Sequence, residues 1–137
     1  MRDKLKELLI RHEGLVKKPY KDTVGKLTIG VGRNLDDVGI TKDEALYLLD
    51  NDIDRVEDEL KKFDWFNELD EVRQVAIIDM CFNLGLSRFL QFKKTIEALK
   101  DKDWGKAAEE MLNSKWAKQV GNRAVELSEM IKKGEFI

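Results

Sequence analysis

Apolar residues recur at helical spacing along most of the chain. Near the start, leucines three and four positions apart predict a helix over residues 3–12 that ends at Gly14. Between Pro19 and Gly32 the period falls to two, because apolar residues alternate with threonine and glycine as in a strand. Val24-Gly25 is typical of a hairpin turn. The pattern therefore predicts a helix followed by a small hairpin.

Two further helical patterns are longer. Thr41 and Glu44 match a capping box, and the narrow apolar stripe that follows predicts a long solvated helix, of the kind that bridges two lobes. Residues 71–84 are apolar on almost all sides and predict the buried centre of the larger lobe, which ends before a glycine. Asp79 and Asn83 interrupt this pattern on one face, where they either line a cleft or make structural hydrogen bonds to Arg123 or Trp116.

The rest of the chain predicts short helices with a turn near residues 114–116, and Asp103 and Asn122 are the expected N-caps. All the elements together predict an α+β protein, mostly α, with one small sheet. The three short helices are expected over residues 92–100, 104–112 and 122–132.

The composition suits one domain: the chain has 137 residues, of which 42% are hydrophobic. With one cysteine (Cys81, expected in the core) and one histidine (His12), we expect no internal disulfide, no metal and no cofactor. No apolar run approaches the roughly 18 residues of a membrane span, and charged residues stand where a signal peptide would be apolar. We therefore expect a soluble protein made in the cytoplasm, without membrane insertion.

The net charge of −2 is unevenly distributed. Residues 1–35 hold nine Lys or Arg against four Asp or Glu, residues 36–72 hold four against fourteen, and residues 73–137 hold twelve against nine. Solvated faces explain most such blocks, but a basic first segment also suits an anionic polymer, and its attraction would weaken as salt rises. Because no Arg-rich recognition helix or base-stacking motif is present, we do not expect nucleic acid as a partner.

Carboxylates are the remaining candidates for chemistry. Glu13 closes the predicted first helix, where the negative end of the helix dipole favours a protonated carboxyl. Asp22 lies at the hairpin in a basic segment and should stay ionised. Two carboxyls in opposed environments are the minimum for glycosidic bond cleavage, and Thr28 on the bare strand face could hold a water. The chain has 27 acidic residues, however, so a plain surface pair is the commoner explanation, and the residues alone leave the function open.

A longer run of residues resembles a known family. Glu13-Gly14-Leu15, followed by Pro19–Gly32 with its Tyr-x-Asp and Gly-x-x-Thr-Ile-Gly-x-Gly elements, resembles the active-site signature of the bacteriophage T4-type lysozymes, glycoside hydrolase family 24. The resemblance implies a monomeric, two-lobed lysozyme fold, with a small sheet lobe over about 13–50 joined by the long helix to a helical lobe. The similarity continues in Ile40–Ala45, Val72–Gly85, Ser114–Trp116 and Asn122–Ala124, and the helical lobe is expected over about 1–12 and 60–137.

The resemblance also implies an activity. It is that of a muramidase, which hydrolyses the β-1,4 bond between N-acetylmuramic acid and N-acetylglucosamine in peptidoglycan, with inversion, and so lyses bacteria. Glu13 would be the general acid, Asp22 would support the attacking water and Thr28 would position it. Arg123 would pair with Glu13, and Tyr20 would support the site. The expected substrate-binding residues are Gly30, Gly32, Asn83 and Trp116, although core packing explains Trp116 equally well.

Two departures from the family pattern affect details. Arg33 stands where the family commonly has His, which should change a structural ion pair rather than the activity. The short segment over residues 34–39 should reduce the small lobe, so the number of sugar subsites stays open. As a phage endolysin, the protein would wait in the host cytoplasm until a membrane pore releases it to the wall.

Two other functions remain as alternatives. A transglycosylase of the same fold would transfer or cyclise its product, and Thr28 as a water-holding group argues against it. A catalytically silent module would only bind the cell wall through the basic segment, and the presence of both acids together with Thr28 argues against that.

Overall fold

The computed structural model describes all of residues 1–137 and divides them into two compact units, Met1–Leu48 and Leu49–Ile137. The chain is 64% helical with one three-stranded antiparallel sheet, which confirms the α+β, mostly α class. The elements are α1 (Arg2–Glu13), β1 (Val16–Lys21), β2 (Leu27–Gly30), β3 (Arg33–Asn34), α2 (Lys42–Leu60), α3 (Asp64–Asn67), α4 (Glu71–Leu84), α5 (Leu86–Phe89), α6 (Lys93–Lys100), α7 (Trp104–Leu112), α8 (Lys115–Val120) and α9 (Asn122–Lys133).

The first unit contains α1, the sheet and the start of α2. The sheet has the order β1-β2-β3, with Tyr20 opposite Thr28 and Thr28 opposite Asn34. Strand β2 stops at Gly30, two residues earlier than the alternating pattern predicts, because Gly30 and Gly32 adopt positive φ angles of 70° and 67°. Those angles reverse the chain into β3, a strand of two residues that the pattern does not reveal.

Helix α1 lies in the first compact unit, whereas residues 1–12 are expected in the helical lobe. Its apolar stripe is present as predicted, but no residue of α1 is buried, and Leu5, Leu8 and Leu9 are all exposed. The helix ends at Gly14, whose φ of 81° suits glycine. The sheet thus follows the helix after a two-residue connection, which brings the end of α1 close to the hairpin.

Helix α2 begins with the predicted capping box. The backbone N–H of Glu44 donates to Thr41 Oγ1 at 3.1 Å, and the N–H of Thr41 donates to Glu44 Oε1 at 2.8 Å. The helix runs for 19 residues, and its only buried positions, Val56 and Leu60, lie in its second half. The narrow apolar stripe is therefore used only where α2 belongs to the second unit. No helix of the protein combines the length and the apolar composition that a membrane span requires.

The second unit is built around α4, which has the predicted bounds and ends at Gly85. Ala76, Ile77 and Met80 of this helix are fully buried in the core. The prediction that α4 is surrounded on almost all sides is too strong, because Val75 and Phe82 are exposed on one face. Other large buried side chains come from elements on both sides of α4 in the sequence: Leu60, Phe66, Phe89, Leu99, Met111 and Ile131.

Three short helices, α3, α5 and α8, are absent from the sequence prediction. The predicted turn near 114–116 is present only at residues 113–114, because Ser114 caps α8 by accepting the N–H of Ala117 at 3.1 Å. Asp103 is the N-cap of α7, as predicted, with the N–H of Lys106 at 3.1 Å from its Oδ1. Asn122 is the first helical residue of α9 rather than its cap, because Gly121 occupies the cap position.

Candidate active site

Glu13, the last residue of α1, lies against the β2–β3 turn. A Cβ atom built on Gly32 would stand 2.8 Å from Glu13 Oε2, so the carboxylate rests where any other residue would place its side chain. Gly32 is an expected substrate-binding residue, and the structure shows it as the surface that receives the Glu13 side chain. Glu13 itself is exposed, which leaves its carboxyl accessible to a ligand.

Asp22 lies directly after β1 and is held by the backbone of the hairpin turn. Its Oδ1 atom accepts the N–H groups of Val24 at 3.0 Å and Lys26 at 2.8 Å. Its own N–H donates to the carbonyl of Lys26 at 2.9 Å. Backbone donors to one carboxylate oxygen fix the side chain in a single direction. The second oxygen, Oδ2, accepts no hydrogen bond from the chain, so it can bind water.

Thr28 and Asp22 share one acceptor, the carbonyl of Lys26, to which Asp22 donates through its backbone N–H. Thr28 is the one buried residue of the first unit, at 3% exposure, and its hydroxyl donates to the carbonyl of Lys26 at 2.9 Å. Because its only proton is used in that bond, the hydroxyl can bind a water only as an acceptor. The backbone of Lys26 therefore orients both Asp22 and Thr28. Sequence reasoning missed this role, because a backbone group carries no residue-type signal.

Arg33, in β3, forms the ion pair that was expected of it. Its guanidinium donates to both carboxylate oxygens of Glu44, at 2.8 and 2.9 Å, and to the carbonyl of Gly39 at 3.0 Å. The prediction of a structural ion pair is confirmed. The Arg33 hydrogen bonds, together with the N–H of Thr41, lower the pKa of Glu44 to about 2. The two-pronged bond ties β3 to the first turn of α2.

Two further residues expected at the site, Gly30 and Tyr20, lie on β2 and β1 of the first unit. Gly30 has open space where a Cβ would stand and lines a groove of about 470 Å³ with Ile29, Val31 and Tyr47. Tyr20 is half-buried on β1, opposite Thr28. Gly30 is thus accessible to a ligand, while Tyr20 packs within the sheet.

The expected residues of the second unit make structural hydrogen bonds. Arg123 donates through Nε to Asp79 Oδ1 at 2.8 Å, and Trp116 donates through Nε1 to Asn83 Oδ1 at 2.8 Å. Asp79 and Asn83 thus both make structural hydrogen bonds, and Asp79 also lines a groove of about 470 Å³ in the second unit. Trp116 is 3% exposed and packs edge-on against a phenylalanine, which is the core alternative rather than open stacking. The pair between Arg123 and Glu13 stays a prediction.

A second set of polar residues supports the hairpin and was not predicted. Asp36 Oδ2 accepts the N–H of Leu27 at 2.7 Å, and Asp37 bonds to Lys26 Nζ at 3.1 Å and to Asn34. The short connection after β3 therefore contributes directly to the geometry of the β1–β2 turn. The Asn-x-x-Asp spacing was the available signal, since these side chains often bond to nearby backbone groups.

Cys81 is a core residue, as expected. It is 1% exposed on α4, and burial raises the pKa of its thiol to about 12. The thiol is therefore neutral and unreactive at physiological pH.

The first unit thus carries one carboxylate at the end of α1 that is left accessible and one after β1 that backbone N–H groups hold in place, and two carboxyls are the groups that glycosidic bond hydrolysis requires. The family model for phage lysozyme matches residues 10–132, a range that includes Glu13, Asp22 and Thr28. The chain therefore belongs to the phage lysozyme family, a class of lysozyme-like peptidoglycan hydrolases.

Named relatives agree with this assignment. Two proteins of Dictyostelium discoideum, named probable T4-type lysozyme 1 and probable T4-type lysozyme 2, are 30% and 29% identical to this chain. The first similarity covers 95% of this chain and 94% of the relative, and the second covers 88% of each. The pre-baseplate central spike protein Gp5 of Enterobacteria phage T4 is 27% identical over 95% of this chain, which spans 28% of that longer protein.

Proposed function

We propose that this chain is a muramidase that hydrolyses the β-1,4 bond between N-acetylmuramic acid and N-acetylglucosamine in peptidoglycan. The observation that carries the proposal is the contrast between two acids of the matched signature. Asp22 has one oxygen fixed by two backbone N–H groups, while the Glu13 carboxylate lies on the bare backbone of Gly32. This contrast supports different roles for the two carboxyls in one reaction.

In the proposed reaction, Glu13 donates a proton to the leaving glycosidic oxygen. Asp22 accepts a hydrogen bond from the attacking water through its unoccupied Oδ2, and Thr28 accepts a second one. The water adds to the anomeric carbon as the C–O bond breaks, and its proton passes to Asp22. Inversion follows if the water attacks from the face opposite the leaving group. No metal or cofactor takes part.

The biological setting belongs to the same proposal. A phage lytic enzyme of this kind would remain in the host cytoplasm until a pore in the membrane admits it to the wall, where bond cleavage would lyse the cell.

Mass analysis of digested peptidoglycan tests the reaction, with Glu13→Gln as the diagnostic variant. We expect wild type to release fragments that end in a reducing N-acetylmuramic acid, and Glu13→Gln to be slower by about 10²–10⁴-fold, the usual contribution of a general acid. Glu7→Gln is the matched control, because Glu7 is exposed on the same helix and pairs only with Lys4 at 3.9 Å. We expect it to retain activity.

Three results would contradict the proposal. Equal rates for Glu13→Gln and wild type would exclude Glu13 as the acid. Products that end in a 1,6-anhydro sugar, lighter by one water, would indicate a transglycosylase. Wall binding without any product would indicate a silent binding module.

A further inference from the structure

One peptide group of the hairpin is hydrogen-bonded at both of its ends. It joins Lys26 to Leu27, and because a peptide is planar, the carbonyl of Lys26 and the N–H of Leu27 are fixed in one plane. The carbonyl accepts two hydrogen bonds at 2.9 Å, from the N–H of Asp22 and from the hydroxyl of Thr28. The N–H donates to Asp36 Oδ2 at 2.7 Å. Asp36 thus holds the peptide whose other end orients two candidate site residues.

The hydrogen bond to Asp36 is charge-assisted, because its acceptor is a carboxylate. Such bonds are shorter than bonds between neutral groups and roughly twice as strong. A carboxylate that accepts from a peptide N–H also polarises the peptide, which makes the carbonyl at the other end a better acceptor. The bond therefore fixes the plane of the peptide and strengthens the two hydrogen bonds that its carbonyl accepts.

The residues next to this peptide extend the same chain of hydrogen bonds. The carbonyl of Leu27 accepts the N–H of Leu35 at 2.7 Å, so both main-chain groups of Leu27 bond to consecutive residues of the connection after β3. On the other side, the N–H of Lys26 donates to Asp22 Oδ1 at 2.8 Å. A continuous path of hydrogen bonds therefore leads from Asp36 to the Asp22 carboxylate.

We propose that Asp36 is a positioning residue for hydrolysis, which fixes the Lys26–Leu27 peptide and, through it, the Asp22 carboxylate and the Thr28 hydroxyl. The inference rests on the proposed function, in which these two groups hold the attacking water. Asp36 is exposed, so water can replace its hydrogen bond with little loss of stability, but water does not fix the direction of the peptide. Displacement of reacting groups by about 1 Å is enough to slow a reaction by about 10²-fold.

Values of kcat and KM on soluble, uncross-linked peptidoglycan strands test the proposal. Asp36→Ala removes the acceptor, and we expect kcat to fall about tenfold, as for the loss of one charge-assisted hydrogen bond. The value of KM should stay within about twofold of wild type, because the lost interaction does not bind the substrate. Asp36→Asn keeps an oxygen that can accept the N–H of Leu27, so we expect it to retain at least about a third of the wild-type kcat.

Asp37→Ala is the matched control, since it removes the same charge from the next position. The Asp37 carboxylate bonds to the side chains of Lys26 and Asn34 and to neither end of the Lys26–Leu27 peptide. We expect its kcat to stay within about threefold of wild type, as for most surface substitutions. Equal losses of kcat in the two alanine variants would overturn the proposal, because a general loosening of the hairpin would then explain them.

Amide chemical shifts give a second measurement, which does not depend on activity. In Asp36→Ala we expect the N–H resonance of Asp22 to move, because its hydrogen bond to the Lys26 carbonyl changes when the peptide turns. In Asp37→Ala the same resonance should keep its wild-type position. An unmoved Asp22 resonance in Asp36→Ala would also overturn the proposal, since the peptide would then keep its orientation without Asp36.

The kinetic results separate this inference from the proposed function. If wild type is active and Asp36→Ala has an unchanged kcat, only the inference fails. The same holds if Asp36→Ala raises KM alone, which would indicate contact with the substrate, or if Asp36→Asn is as slow as Asp36→Ala. If wild type releases no fragments from peptidoglycan, the proposed function fails, and the positioning role fails with it.

Discussion

The two compact units are stabilised by different forces. Every buried apolar residue lies between Val56 and Ile131, so the second unit holds the whole hydrophobic core. In the first unit, Thr28 alone is buried, and the hairpin is held by hydrogen bonds that Asp22 and Asp36 accept from the backbone and by the ion pair between Arg33 and Glu44. The unit that carries the candidate acids is thus organised by polar contacts and by glycine conformations.

This difference has a consequence for mutation. Apolar burial contributes to stability roughly in proportion to area, so a core loses free energy whenever a large side chain is truncated. A network of hydrogen bonds depends on direction, so small displacements alter the positions of functional groups while the free energy of unfolding changes little. We therefore expect mutations in the second unit to reduce stability, and mutations in the first unit to reduce activity.

The largest expected effect is on the core. Phe66→Ala removes a fully buried ring in the second unit, and we expect a loss of about 3–5 kcal/mol in the free energy of unfolding. Leu8→Ala in α1 is the comparison, because Leu8 is exposed, and we expect a loss below about 1 kcal/mol. Denaturant unfolding measures both values. Similar losses would show that α1 is as well packed as the core, contrary to the structure.

The next effect concerns activity. Gly32→Ala would place a Cβ 2.8 Å from Glu13 Oε2 and displace that carboxylate, so we expect hydrolysis to fall by about 10²-fold. Gly39→Ala is the matched control, because Gly39 shares the positive φ, at 66°, and the nearest atom to its Cβ position is Leu35 O at 4.0 Å, an ordinary contact. Rates on peptidoglycan and unfolding curves separate the two variants. Equal loss of activity in both would attribute the effect to backbone strain rather than to Glu13.

The same contrast explains what the sequence could predict. Long periodic patterns predicted α4 and α7 correctly, because several turns of helix repeat the apolar signal. Helices α3 and α5 have four residues each and α8 has six, which is too short for a period to appear, and β3 has only two. Tertiary packing and local caps decide such short elements.

The candidate site divides in the same way. Glu13, Asp22 and Thr28 were identified from residue type and from the resemblance to a family signature. Their supports were not, because the Lys26 backbone and the Gly32 surface act through main-chain geometry. Asp79 shows the limit for side chains, since its position on a helix face was predictable, but its bond to Arg123 and its place in a groove both depended on packing.

The smallest expected effect is the response of the first unit to acid. The pKa of Glu44 is lowered from 4.5 to about 2, so the ionised form stabilises the fold above the ordinary pKa. This contribution decreases as the pH falls below 4.5 and is lost once it passes about 2. In Arg33→Gln, the pKa of Glu44 should rise but stay below 4.5, because the N–H of Thr41 still donates to Oε1. Carboxyl chemical shifts of Glu44, followed through an acid titration, measure this change. An unaltered titration in Arg33→Gln would mean that the ion pair has no part in tying β3 to α2, and polar contacts would then explain less of the first unit than we infer.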